Sequence, residues 1–65
     1  MKTTKGYELT EEQIGRRAEL AHYLTPGPNY RRDIRDTLAS LQYAETSGQV
    51  DYWLDRAEGM TYDYR

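Results

Sequence analysis

The chemistry-bearing residues of this sequence crowd toward its end, in DYWLDRAEGMTYDYR (51–65), where carboxylates are interleaved with aromatic rings. Asp51, Asp55, Glu58 and Asp63 supply negative charge there, with Glu45 a few residues earlier. Tyr52, Trp53, Tyr62 and Tyr64 supply the rings. Carboxylates spaced along a surface can stand where a phosphate backbone would lie, and large amphipathic rings provide the contact energy that charge alone does not. These nine residues are the expected partner-binding set. The partner they imply is a protein that handles nucleic acid.

Other chemistries lack their parts. The chain has one histidine, His22, and no cysteine, so neither a thiolate metal site nor a disulfide is available. No HxxE or DxD spacing and no glycine-rich phosphate loop is present. Asp51 with Asp55, or Asp33 with Asp36, can be written as carboxylate pairs. General acid–base work needs such groups buried in a cleft that shifts their pKa values, and a chain of 65 residues has little interior for that. The expectation is a protein that is not an enzyme and needs no cofactor or metal.

Charge is divided along the chain. Residues 1–35 hold seven Lys/Arg against five Asp/Glu, a net of +2, whereas residues 36–65 hold two against six, a net of −4. The second half is the acidic half. Two lysines open the sequence, but MKTTKGYEL has no apolar run behind them, which reads as neither signal peptide nor anchor. A cytoplasmic protein is expected.

The elements that must position these residues are then sought in one domain spanning 1–65. Residues 1–8 read as flexible. Thr10 and Gln13 form a capping box, with Glu11 and Glu12 in the first turn, and a helix is expected over about 11–24. Its apolar stripe would be Ile14, Ala18, Ala21 and Leu24, with Leu9 stapled to Ile14. TPGPN (25–29) breaks the chain into a corner. A second helix is expected over about 30–46, lined by Tyr30, Ile34, Thr37 or Leu38, Leu41 and Ala44, with Gly48 beyond its end.

Residues 50–65 admit two readings. Val50, Trp53, Leu54 and Ala57 fall at i, i+3, i+4 and i+7, the spacing of a third helix stopped by Gly59. As a β-hairpin over about 50–65, pairing Leu54 with Met60 also pairs Tyr52 with Tyr62 and Val50 with Tyr64 on one face. A type I turn closed by Gly59 at positive φ is a common hairpin connection. The hairpin uses more of the apolar residues, at the cost of Asp51 facing Asp63. The preferred fold class is therefore α+β, two helices and a C-terminal hairpin; an all-α three-helix bundle is the alternative.

Two binding functions compete. A long helix followed by SGQV and a hairpin resembles the recognition helix and wing of winged-helix DNA-binding proteins over residues 29–65, with Arg31, Arg32 and Arg35 on the early turns. The resemblance implies a small phage transcriptional regulator. Only one helix precedes the candidate recognition helix where that family has two, the wing is not notably basic, and ion pairing with Asp33, Asp36 and Glu19 is the simpler role for the arginines. The other reading is a non-enzymatic inhibitor working by occlusion. In KGYELTEEQIGRRAEL and DYWLDRAEGMTYDYR the chain resembles the small phage-borne anti-CRISPR proteins, including inhibitors of type I and type I-C systems. That resemblance implies a Cascade-type CRISPR effector as partner, blocked at its target-DNA site in the host cytoplasm. It implies no site residue, since the group shares no motif.

Overall fold

The computed structural model describes residues 1–62. Among these residues three α-helices make the fold: α1 (Glu11–Glu19), α2 (Arg32–Leu41) and α3 (Ser47–Met60). A turn of 3₁₀ helix, Ala21–Tyr23, extends the end of α1. Among the described residues there is no strand or sheet, only an isolated antiparallel bridge between Lys2 and Glu8. The chain is all-α, and the α+β expectation with its C-terminal hairpin over 50–65 is corrected here; residues 63–65 lie outside the described residues.

Three physical reasons favour the helix over the hairpin. Val50, Leu54 and Ala57, at i, i+4 and i+7, are wholly buried against α2, so the helical spacing places every one of them in the core. The hairpin would have been a lone pair of strands with no third strand to join, which is marginal in water. Its turn also required positive φ at Gly59, whereas the glycines with positive φ are Gly6 and Gly27. The start of α3 is well defined as well. Thr46 is its N-cap, its Oγ1 accepting from the Gln49 N–H at 3.2 Å, and Gln49 Oε1 accepts from the Glu45 N–H at 2.6 Å.

That cap sets the end of α2, which stops at Leu41 rather than near residue 46. Residues 42–46 cross over to α3, and the turn at the N-terminus seals the crossing. Thr4 donates to the Gln42 carbonyl from N–H (2.7 Å) and from Oγ1 (2.9 Å), while Thr3 Oγ1 donates to the Ala44 carbonyl at 2.7 Å. Gly6, at φ +92°, closes this turn by donating to the Thr3 carbonyl. At the corner after the 3₁₀ turn, Gly27 takes φ +155° and the Arg31 N–H returns to the Tyr23 carbonyl at 2.9 Å.

The core consists of Leu9, Leu20, Ile34, Leu38, Leu41, Ala44, Val50, Leu54 and Ala57, edged by Tyr7, Tyr23, Leu24, Trp53 and Met60. Leu9 and the Ile34–Leu38–Leu41 stripe lie inside as their spacing predicts. On α1 the expected stripe is turned outward. Ile14, Ala18 and Ala21 are exposed, and Gln13 and Leu20 are the buried residues of that segment. The inversion follows from how α1 meets α3, which is through polar groups.

Candidate functional site

Gln13 begins the arrangement. As the third residue of α1 its side chain folds back to the cap, Oε1 accepting from the Thr10 N–H at 3.1 Å and from the Tyr7 hydroxyl at 3.0 Å. The other end of the amide is thereby aimed across to α3. Its Nε2 donates to Ser47 Oγ at 3.1 Å and Asp51 Oδ1 at 3.0 Å. Gln13 is only 3% exposed, and with each polar end satisfied its burial is tolerated.

One turn on, Arg16 reaches the same face of α3. Its Nε and Nη2 form a fork on Glu58, at 3.0 and 2.8 Å; Nη2 also reaches Asp55 at 2.5 Å, and Nη1 lies 3.4 Å from Asp51. Glu58 first, then Asp55, raise the guanidinium pKa still further above its ordinary value. Three carboxylates at i, i+4 and i+7 therefore stand in a row along α3, gathered by one cation. Their outer edges stay wet, the side chains of Asp51 and Asp55 being 49% and 72% exposed.

The proposed partner-binding residues separate into groups. Asp51, Asp55 and Glu58 share the ridge, and Tyr52 stands beside them with more than half of its surface exposed. Tyr62, also exposed, lies just past the end of α3 and lines a shallow cleft with Glu58 and His22. Trp53 is half-buried at the edge of the core, about 160° around α3 from Asp51. It serves the ridge indirectly, supporting the Tyr52 ring edge-to-face at a centroid distance of 5.0 Å. Glu45 is exposed in the crossing before α3, off the ridge. Asp63 and Tyr64 lie outside the described residues.

Sequence reasoning missed Gln13 and Arg16 as members of this arrangement. A usable signal existed: Gln13 and Arg16 are three residues apart and so share a face of α1, and the first of them is pinned by the capping box. The arginines of α2 stand elsewhere. Arg31 forks onto Asp33 (3.0 and 2.6 Å) and lowers the Asp33 pKa, Arg32 lies 3.7 Å from Asp36, and Arg35 donates to the Tyr30 hydroxyl at 2.9 Å. With residues 50–60 helical, the wing of the winged-helix resemblance has no counterpart among the described residues, and the exposed part of α3 carries Asp55 and Arg56, with Asp51 and Glu58 partly exposed.

Among the described residues, no group of three or more His, Cys, Asp or Glu converges to hold a metal ion; the ridge carboxylates spread around a guanidinium instead. No helix of the described residues is long and apolar enough to cross a membrane. The site and fold together define a small three-helix domain with an acidic ridge along its last helix. No family model, curated protein or solved structure matches the chain.

Proposed function

We propose that the protein is a non-enzymatic inhibitor that docks its α3 ridge into the basic channel of a nucleic-acid-handling protein complex and keeps nucleic acid out. The observation that carries this reading is the row Asp51, Asp55 and Glu58 on one partly exposed face of a helix, with the exposed ring of Tyr52 alongside. A row of carboxylates on a helix is spaced rigidly, so it pairs with several cations in a groove without the ordering cost that a loop would bear. Gln13 and Arg16 hold the row in place before any partner arrives. Three carboxylates around one guanidinium still leave a net charge of about −2 facing a positively charged channel. The target class follows from the resemblance to anti-CRISPR proteins: a Cascade-type effector complex, blocked at its target-DNA site.

The test is competition. Guide-loaded Cascade-type complex is mixed with labelled target duplex, and fluorescence anisotropy follows release of the duplex as the protein is added. Dose-dependent release that weakens with salt is expected. Tyr52→Ala with Asp55→Asn should reduce potency about tenfold or more, because exposed interface anchors and their charges carry most of the binding energy. Both residues are exposed, so the thermal midpoint of the double variant should fall by only a few degrees, from the weak Asp55–Arg16 pair and the Tyr52–Trp53 contact. Undiminished release by the variant would sink the ridge as the contact, and saturable binding of the free duplex by the protein itself would favour the regulator reading instead.

A further inference from the structure

A second feature lies away from the ridge. Between the N-terminal turn, α1 and α2 is a cleft of about 300 Å³, floored by Leu9, Leu38 and Leu41 and lined toward solvent by Lys2 and Arg17. Arg17 is half-buried there, and among the described residues nothing accepts a hydrogen bond from it or pairs with it. The other half-buried arginines are fully engaged, Arg16 with three carboxylates and Arg31 with Asp33. Nor does Arg17 serve as a cap for α2. The carbonyls of Ala39, Ser40 and Leu41 accept from the N–H groups of Gln42, Tyr43 and Ala44, and that of Gln42 accepts from Thr4. An arginine lining a leucine-floored cleft, with its planar fork unused, matches a group that is apolar on one side and a planar anion on the other.

We propose that this cleft binds a small carboxylate with an apolar body, the carboxylate on Arg17 with Lys2 nearby and the hydrocarbon over Leu9, Leu38 and Leu41. The volume is at the lower end of that of small-molecule sites, which limits the ligand to a short aliphatic or single-ring acid. The site does not depend on the ridge or on the inhibitor reading.

Titration of the full ¹⁵N-labelled chain with hexanoate, followed by amide shifts, tests the assignment. Saturable shifts are expected at Thr3, Leu38, Ala39 and Gln42, with a dissociation constant in the low-millimolar range, roughly what so few ligand atoms can deliver. Hexan-1-ol, with the same chain and no charge, should bind about tenfold more weakly. Arg17→Gln should abolish that difference while leaving hexan-1-ol binding as it was. Equal binding of the acid and the alcohol by the parent protein would overturn the proposal without recourse to any variant. So would hexanoate affinity unchanged in Arg17→Gln, or shifts confined to residues outside the cleft.

Discussion

Replacing Arg16 by Gln keeps part of the stem and a hydrogen-bonding head but removes the charge that gathers the α3 carboxylates. The Arg16 side chain is 24% exposed and Glu58 36%, so their forked pair is only partly screened and is worth about 1 kcal/mol. Asp55, though close, is 72% exposed, and Asp51 is both 49% exposed and at the long distance of 3.4 Å; each contributes a few tenths, about 0.2–0.4 kcal/mol. Without the guanidinium, Asp51 and Asp55 also repel one another at i, i+4, adding about 0.2–0.5 kcal/mol. The expected loss is about 1.6–2.3 kcal/mol. A chain of this size has roughly 3–5 kcal/mol to lose, so the variant should show a visible unfolded population at body temperature. Urea unfolding by far-UV circular dichroism measures it, and the thermal midpoint should fall by about 6–18 °C. Adding salt to about 1 M should shrink the difference, since the outer edges of the carboxylates are wet. A cycle with Glu58→Gln should return a coupling near 1 kcal/mol. A loss under about 0.5 kcal/mol for Arg16→Gln, or no coupling to Glu58, would refute the account of α1 as a helix held to α3 by polar groups.

Three further outcomes follow from the same structure. Thr46→Ala removes the side chain that caps α3 and should cost about 1 kcal/mol in urea unfolding, with helix content reduced in proportion; a hairpin in this segment would leave the variant unaffected. Gly15 sits within α1 with nothing within 4 Å of where a Cβ would be, so Gly15→Ala should stabilise the fold by about 0.5–1 kcal/mol, read as a higher urea midpoint. Asp33 is held below its ordinary value of 3.8 chiefly by Arg31, and Glu8 below 4.5 by the N-terminal amine. Depressed carboxylate values mean stability that is present above about pH 4–4.5 and is lost as the pH falls through the folded-state values; Arg31→Gln should move the Asp33 titration, followed by carboxyl chemical shifts, upward and reduce its share of that loss.

The sequence makes some of this fold plain and hides the rest for specific reasons. The Thr10–Gln13 box, the TPGP corner and the Ile34–Leu38–Leu41 stripe are local signals, and each depends on residues a few positions apart. The last helix was obscured because residues 50–64 satisfy two periods at once: Val50, Leu54 and Ala57 fit a helix, while Tyr52, Leu54, Met60 and Tyr62 fit a two-residue alternation. What separates the readings lies upstream. Thr46-Ser-Gly-Gln49 repeats the spacing of Thr10-Glu-Glu-Gln13, and read as a helix start rather than as the tail of α2 it selects the helix. The outward stripe of α1 was hidden for a different reason. Apolar periodicity predicts burial only when the packing partner is apolar, and α1 meets α3 through Gln13 and Arg16, so Ile14 and Ala18 are left outside.

The change from strand to helix also alters what the acidic residues can do. In a hairpin Asp51 and Asp55 would share a face, Glu58 would sit in the turn and Asp63 would oppose Asp51, giving scattered charge. In a helix Asp51, Asp55 and Glu58 fall within about 60° of one another around the axis and form a line. Arg16 occupies the inner edge of that line, which ties binding to folding through the same three side chains. Reversing all three charges would therefore weaken the proposed inhibition whether or not the ridge touches a partner, because the α1–α3 junction would lose the charge pairs that hold it. Asp55 and Tyr52 are the informative positions: the first is the most exposed of the three carboxylates, and the second is exposed and has no part in the Arg16 junction. A loss of the proposed inhibition there, with the unfolding midpoint lowered by only a few degrees, is attributable to the surface itself.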